Sequence, residues 1–183
     1  MINKVQLDEF DPSQGLNRGA GKFKELCWYF IKIFFFLSPI PFPSGFKCFL
    51  LRCFGAKTGK GIVLKPRINI HFPWKLEIGN NVWIGEEVFI LNFEPLYIGN
   101  HVCVSQRAFL CGGNHDYTIS SMPYRNGSIT LEDGSWVGAN AFIGPNVKIG
   151  FNTVISAASV VTKSVDPNGI YSGNPLKFVK NRW

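Results

Sequence analysis

His115 is the residue of this sequence whose type and surroundings most favour chemistry. It lies in the polar, glycine-rich stretch GGNHDY, residues 112–117, and is one of three histidines in 183 residues. Imidazole titrates near neutral pH, so His115 can act as a general base that takes a proton from a hydroxyl group. The adjacent carboxylate of Asp116 can orient such a ring, and the amide of Asn114 can contact a bound substrate. The alternative is that the three residues only form a polar turn.

Cys111 offers a second kind of chemistry close to His115. A thiol four residues before the histidine can carry an acyl group covalently. Cys111 directly follows Leu110, however, where the repeat described below places a corner residue, so we expect direct transfer without an acyl-cysteine. The five cysteines are odd in number and contain no C-x-x-C pair. This pattern favours free, mostly buried thiols in a reducing compartment.

The segments on both sides of His115 repeat every six residues. Examples in register are IGNNVW at 78–83, IGEEVF at 84–89 and VGANAF at 137–142. Twelve aliphatic residues hold this register: Ile78, Ile84, Ile90, Ile98, Val104, Leu110, Leu131, Val137, Ile143, Ile149, Ile155 and Val161. A period of six fits neither a helix nor a simple amphipathic strand and is typical of a solenoid with regular corners. The aliphatic residues would fill its interior, and Gly or Asn would take corners with a positive φ angle.

Two interruptions break this regular surface, and we expect function to lie there. The stretch ILNFEPLY, 90–97, carries two extra residues and contains Asn92 and Glu94. The step from Leu110 to Leu131 is 21 residues long. It predicts a loop that leaves the solenoid wall over about 113–130 and begins with the His115 segment.

The composition and the six-residue repeat together divide the chain into three parts. Residues 1–61 form a basic, aromatic segment, in which 23–54 predicts helices broken at the proline-rich stretch SPIPFPSG, 38–45. Residues 62–166 form the parallel solenoid, and its first stretch, 62–77, reads as an imperfect coil. Residues 167–183 lose the period and predict a C-terminal tail, either a loop with a short helix or an extended segment.

These features resemble the hexapeptide-repeat acetyltransferases, and most closely the colanic acid biosynthesis acetyltransferase group. The resemblance covers about 38–182 and is carried by FLLRCFGAK, FPWKLEIG, ILNFEPLYIGNHVCVSQRAFLCGGNHDYT and SGNPLKFVK. It implies a mainly β fold, a left-handed parallel β-helix, and a homotrimer. It also implies O-acetylation of a sugar hydroxyl in exopolysaccharide or capsule biosynthesis, with acetyl-CoA as co-substrate, no metal, and His115 as the base.

The resemblance further implies which residues contact the ligands. Asn92, Glu94, Asn114 and Trp136 would contact the saccharide acceptor, although Asn92 can equally be a loop residue and Trp136 can pack between subunits. The donor would lie in a groove between subunits, against Ala139, Ala157, Thr162, Lys163, Lys177 and Lys180. The alternative for the three lysines is a solvated face.

Positive charge and aromatic residues concentrate near the N-terminus. Residues 1–67 hold eleven basic and four acidic side chains, whereas 68–183 hold eight of each. Eleven aromatic residues lie within 23–54. This mixture predicts either peripheral contact with an anionic membrane or packing on the β-helix and its neighbours. We find no signal peptide, and the apolar run 27–37 is too short to span a bilayer. A cytoplasmic location is therefore expected, with contact at the inner face of the membrane and a lipid-linked acceptor as further possibilities.

Other functions have less support. The sequence has no P-loop and no G-x-G-x-x-G motif, and its neutral body lacks the basic stripe that nucleic-acid binding requires. A metal hydrolyase of the carbonic-anhydrase type needs three converging histidines, but His71, His101 and His115 are thirty and fourteen residues apart. We expect structural or surface roles for His71 and His101. A non-enzymatic trimeric scaffold would not need the His115 loop.

Overall fold

The interior of the molecule is built by the repeat. In the computed structural model, which describes residues 4–183, all twelve in-register aliphatic side chains are at most 3% exposed. The residues four positions further on, such as Val82, Ala108 and Thr153, are buried beside them. Burial of an Ile, Leu or Val side chain contributes about 1.5–3 kcal/mol. These side chains therefore supply the main force that closes the coils.

Three sheets form the walls of a prism. Wall A contains β1 (Lys57–Thr58), β4 (Leu76–Ile78), β7 (Leu96–Ile98), β10 (Ile129–Leu131) and β13 (Val147–Ile149). Wall B contains β2 (Val63–Leu64), β5 (Trp83–Ile84), β8 (Cys103–Val104), β11 (Trp136–Val137), β14 (Val154–Ile155), β16 (Gly169–Ser172) and β17 (Lys177–Asn181). Wall C contains β3 (Asn69–Ile70), β6 (Phe89–Leu91), β9 (Phe109–Cys111), β12 (Phe142–Ile143) and β15 (Val160–Val161). The chain visits A, B and C in turn, so the prism has AB, BC and CA corners.

Successive coils stack in parallel register. Lys57 pairs with Glu77 and Glu77 with Tyr97, which makes the first two coils twenty residues long, whereas Ile129 pairs with Val147 eighteen residues later. The extra residues of the long coils lie at the CA corner. One insertion is the expected turn in ILNFEPLY, and the other contains a 3-10 helix, Pro73–Lys75. The first strand begins at Lys57, five residues before the expected start of the solenoid.

The corners use asparagine and glycine for different reasons. Asn81, Asn140 and Asn152 have φ angles of 56°, 57° and 56°, in the left-handed region that asparagine tolerates. Gly79 lies one residue after an interior isoleucine and does not have a positive φ; a Cβ there would lie 2.7 Å from the carbonyl carbon of Gly99 in the next coil. The expectation that glycine serves a positive φ is wrong at this position, because glycine is needed there for close stacking.

Two helices cover the N-terminal end of the prism. Helix α1 (Lys22–Ile31) continues into a π-helical turn, Lys32–Phe36, and α2 (Ser44–Cys53) follows the proline-rich break. The Trp28 indole N–H donates to the carbonyl of Ile70 at 3.1 Å, and Lys47 Nζ donates to the carbonyl of Lys65 at 2.9 Å. These bonds satisfy backbone acceptors of the first coil. No helix within residues 4–183 is long and apolar enough to cross a membrane.

The C-terminal end is a β-hairpin. β16 continues wall B in parallel with β14, and β17 returns antiparallel to β16. Tyr171 and Phe178 form a cross-strand aromatic pair with ring centroids 5.5 Å apart. Of the two expected forms of this tail, the loop with a short helix is therefore wrong, and the extended segment is a paired hairpin. The hexapeptide period does not predict this hairpin, because the register of β16 is set by its pairing with β14.

Candidate active site

The loop that carries His115 is a braced arm at the CA corner. It spans residues 112–128, between β9 and β10, close to the expected 113–130. Backbone bonds close its base, since the N–H of Gly127 donates to the carbonyl of Gly112 at 2.9 Å. Further out, the N–H of Arg125 donates to the carbonyl of Asn114 at 2.8 Å. His115 and Tyr124 form an antiparallel bridge across the arm.

The imidazole of His115 is held in one orientation by the backbone. Its Nδ1 lies 2.6 Å from the carbonyl oxygen of Met122. A carbonyl can only accept a hydrogen bond, so the Nδ1 atom carries the proton and the lone pair is on Nε2. The ring also packs against Tyr124 and Phe10, with centroids 4.9 and 5.5 Å away. Within residues 4–183 the hydrogen bond of the ring is made by Nδ1 and none is made by Nε2.

Asp116 does not hold the His115 ring. Its Oδ1 accepts bonds from the Thr118 backbone N–H at 3.0 Å and from the Thr118 hydroxyl at 2.5 Å. The hydroxyl bond is the main reason that the pKa of Asp116 lies below its ordinary value. The expectation that Asp116 orients the imidazole is therefore corrected, because the carboxylate closes a local turn instead. The Met122 carbonyl orients the imidazole instead. Because every residue has a backbone carbonyl, the sequence does not indicate which one accepts this bond.

Asn114 is an exposed residue that also supports the loop. Its Oδ1 accepts the N–H of His115 at 2.9 Å, and its own N–H donates to Asn126 Oδ1 at 3.1 Å. An acceptor contact from Asn114 stays a prediction.

Asn92 and Glu94 lie at the same CA corner, one coil before the loop. Asn92 is fully buried. Its Oδ1 accepts the N–H of Phe72 at 2.9 Å, and its Nδ2 donates to the Phe72 carbonyl at 2.6 Å. The structure thus corrects its proposed acceptor contact to a structural role, in which Asn92 ties the two insertions together. Glu94 is half-buried in the same turn, and its contact with the acceptor stays a prediction.

An N-terminal segment braces the loop from outside, and sequence reasoning missed it. We call residues 4–20 the strap. The N–H of Gln6 donates to the carbonyl of Ser120 at 2.9 Å, and Asn126 Nδ2 donates to the carbonyl of Gly15 at 3.1 Å. Phe10 packs on both His115 and Tyr124. The only hint in the sequence is an isolated aromatic residue among polar ones.

Cys111 is a half-buried thiol at the end of β9. Its Sγ donates to the carbonyl of Gly113 at 3.3 Å. Burial raises its pKa above the ordinary value, which lowers the population of the nucleophilic thiolate.

The residues expected to bind the donor fall into separate places in one chain. Thr162 and Lys163 line a cavity of about 380 Å³ beside Tyr171 and Phe178, at the CA corner. Ala139 and Ala157 lie one coil apart at the BC corner, between walls B and C. Lys177 and Lys180 are exposed on β17 and do not line the cavity. A single chain therefore does not unite these six residues.

Trp136 lies on the outer side of wall B, away from the His115 arm. It is 44% exposed, and its indole N–H donates to the Ser105 hydroxyl at 2.9 Å. Its contact with an acceptor stays a prediction that needs a neighbouring subunit.

The three histidines occupy three different environments. His71 lies beside Phe72 and Phe93, His101 occupies a corner at φ 55°, and His115 lies in the arm. Within residues 4–183 no group of three or more His, Cys, Asp or Glu side chains is placed to hold a metal ion.

The prism and its histidine-bearing arm define the class of protein. The chain belongs to the hexapeptide-repeat acetyltransferase family, whose fold is the left-handed parallel β-helix. The Escherichia coli (strain K12) protein named "Putative colanic acid biosynthesis acetyltransferase WcaF" is 33% identical over 176 residues, which are 96% of each chain. No protein-family model matches the chain.

Solved structures share the architecture. A hexapeptide-repeat acetyltransferase of Vibrio cholerae O1 biovar eltor, complexed with acetyl coenzyme A, has a TM-score of 0.80 at 21% identity, over 98% of this chain and 96% of that chain. A galactoside acetyltransferase in complex with coenzyme A has a TM-score of 0.77 at 24% identity, over 87% and 80% of the two chains. At 21% and 24% sequence identity, the similarity to these two structures shows that the fold is shared.

Proposed function

We propose that the protein is an O-acetyltransferase that moves an acetyl group from acetyl-CoA directly to a sugar hydroxyl during polysaccharide biosynthesis. The observation that carries the proposal is the orientation of His115, whose Nδ1 contacts the Met122 carbonyl while Nε2 has no hydrogen-bond partner within residues 4–183. The donor is supported by structural relatives complexed with acetyl-CoA and CoA. The pathway is supported by the relative named for colanic acid biosynthesis.

The reaction needs one base and one leaving group. Nε2 of His115 takes the proton of the acceptor hydroxyl, and the oxygen forms a bond to the thioester carbonyl carbon. The tetrahedral intermediate then collapses, the carbon–sulfur bond breaks, and the CoA thiolate takes the proton from the imidazolium. The Nδ1–H bond to Met122 keeps the ring aligned in both steps. A backbone N–H of a neighbouring coil would stabilise the oxyanion.

Direct transfer is favoured over an acyl-cysteine by the state of Cys111. Its raised pKa and its bond to Gly113 make it a poor nucleophile at neutral pH.

A homotrimer would bring the separated site residues together. The outward residues of wall A are charged or carry a hydroxyl group, namely Glu77, Tyr97, Thr130 and Lys148, whereas walls B and C present apolar rows. The apolar rows are Val63, Trp83, Cys103, Trp136 and Val154 on wall B, and Phe89, Phe109, Phe142 and Val160 on wall C. Packing these walls against neighbouring copies would cover the apolar rows. Residues of neighbouring copies would then line one shared site.

The N-terminal helices would attach the trimer to the inner face of a membrane. Phe23 and Phe30 of α1 are 81% and 51% exposed, and Phe34 of the following π-helical turn is 64% exposed. Such a cluster marks a surface that another apolar phase covers. Nearby lysines would favour anionic lipid. A lipid-linked acceptor would then be presented to a cytoplasmic enzyme.

The test of the proposal is His115→Ala. We expect acetyl transfer from acetyl-CoA to an oligosaccharide acceptor to fall about 10²–10⁴-fold, with CoA affinity unchanged. Cys111→Ala is the matched control and should stay active. Near-normal turnover of His115→Ala would remove the base assignment, and an acetyl group trapped on Cys111 would replace direct transfer.

A further inference from the structure

A groove runs along α1, on the side that faces the first coil. Its volume is about 330 Å³. One wall consists of helix residues three and four positions apart, namely Lys22, Leu26 and Tyr29, and the opposite wall includes His71 and Phe72. The groove lies close to the His115 arm, because ring contacts lead from His71 to Phe93, then to Tyr124, then to His115.

The charges in the groove are unbalanced. Arg18, Lys22 and Lys32 line it, with Glu25 as the acidic lining residue. Glu25 already binds Arg18, with Arg18 Nε 2.8 Å from Oε1. His71 is neutral at pH 7, because burial and then the charges of Lys32 and Arg18 lower its pKa to about 4. Within residues 4–183, the lining therefore presents two positive charges, Lys22 and Lys32, that form no ion pair with a carboxylate, although Lys32 Nζ lies 5.8 Å from the centroid of the Tyr29 ring.

The positive charges of Lys22 and Lys32 lie where electrostatics and burial disfavour them in the absence of a bound anion. Lys22 is in the first turn of α1, at the positive end of the helix dipole, where basic side chains are unfavourable. Lys32 is partly buried, and the loss of solvation lowers its pKa. A bound anion would relieve both effects.

The rest of the groove is apolar and opens onto the exposed aromatic surface. Leu26 and Tyr29 are each about half exposed, and Phe23 and Phe30 lie one helical step from Leu26. A ligand that suits this lining has an anionic group next to an apolar chain.

We propose that this groove binds a phosphate group carried on a lipid, with Arg18, Lys22 and Lys32 around the phosphate and the chain along Leu26 and Tyr29. The proposal rests on the proposed membrane contact of the N-terminal helices. In addition to that membrane contact, the groove would provide a specific site for a lipid headgroup, next to the His115 arm. Guanidinium and ammonium groups are the usual protein partners of phosphate oxygens.

The first test uses the three histidines as reporters in the full-length protein. Dihexanoyl phosphatidylglycerol below its micelle concentration should shift the His71 NMR signals and raise the His71 pKa, because the phosphate offsets the nearby cations. The His101 and His115 signals should not shift. Dihexanoyl phosphatidylcholine and inorganic phosphate should bind at least about tenfold more weakly, since one lacks net charge and the other lacks the chain. Equal binding of inorganic phosphate would overturn the lipid assignment, and an unchanged His71 would overturn the site.

The second test separates the groove from diffuse attraction to the membrane. Lys22→Gln/Lys32→Gln should reduce co-sedimentation with phosphatidylglycerol-containing vesicles by about tenfold or more. The matched control, Lys57→Gln/Lys60→Gln, removes two charges from the same basic region outside the groove and should bind within about twofold of the wild type. Equal losses in the two variants would overturn the groove. Failure of the wild type to bind vesicles while His71 still reports the soluble lipid would instead refute the membrane contact. Neither result bears on His115, whose role is tested separately by acetyl transfer.

Discussion

At the scale of single residues, the backbone sets the chemistry of His115. The Met122 carbonyl fixes the proton on Nδ1, and Asp116 bonds to Thr118 instead. Two adjacent residues that suggest a base and its partner in sequence thus have different hydrogen-bond partners in the structure.

This separation predicts a mild effect for Asp116→Asn. The asparagine oxygen can still accept both bonds from Thr118, so the turn should persist and acetyl transfer should stay within about fivefold of the wild type. A carboxylate that orients a catalytic imidazole can be worth up to about 10⁴-fold. A steady-state assay with saturating acetyl-CoA distinguishes the local turn role of Asp116 from an orienting role. A decrease of a hundredfold or more in acetyl transfer by Asp116→Asn would show that Asp116 orients the imidazole.

His71 predicts a pH-dependent loss of stability. Its pKa is about 4 in the folded protein, through burial and then the charges of Lys32 and Arg18, partly offset by Glu25. It is about 6.5 when unfolded. Between these values the unfolded state binds the extra proton, so the free energy of unfolding falls as pH drops from about 6.5 to about 4, and this group adds no further loss below that.

The variant His71→Phe keeps the ring and removes the titration. Its loss of stability across this pH window should be smaller than that of the wild type, by on the order of 3 kcal/mol. Urea unfolding in phosphate-free buffer measures the difference. Parallel pH profiles for the two proteins would show that His71 is not buried as described.

At the scale of elements, the His115 arm contacts a segment far from it in sequence. The strap bonds to the arm through Gln6 and Gly15, and Phe10 packs on the His115 ring. The buried Asn92 fixes the turn below the arm by its bonds to Phe72. The arm is therefore braced from above and below, which suits a base that must keep one orientation.

Phe10→Ala should loosen this bracing. Aromatic contacts of this kind contribute about 0.5–1.5 kcal/mol, so we expect kcat/KM to fall roughly two- to tenfold and amide exchange in 112–128 to accelerate. Leu7→Ala, an exposed residue of the same strap, is the control and should change neither quantity. Phe10→Tyr should restore both. Wild-type exchange and turnover in Phe10→Ala would show that the strap does not position His115.

At the scale of the whole molecule, the three walls of the prism are chemically unequal. Trp83 and Trp136 stand 46% and 44% exposed on wall B, whereas wall A presents charged and hydroxyl groups. The proposed trimer uses this difference, and it would unite donor residues that a single chain keeps at separate corners.

Trp83→Glu tests the assembly. A charge in the apolar row of wall B should dissociate the trimer and abolish acetyl transfer, because an unpaired carboxylate is costly to bury. Thr130→Glu places the same charge on wall A and should leave both the trimer and the activity intact. Light scattering coupled to chromatography measures the mass. A wild-type monomer with full activity would contradict the shared site.

The sequence by itself determined the β-helix, because interior packing repeats locally: an aliphatic residue every six positions is needed wherever a short strand faces the axis, and all twelve are buried. It also located the His115 arm, since a break in a strict period is visible without tertiary information. Only the tertiary structure decided which atom holds His115, why Asn92 is buried, how the C-terminal hairpin pairs, and that Phe10 reaches the arm. These features are contacts between residues that no local period relates, often through backbone atoms that every residue shares, so their partners are chosen only when the coils stack.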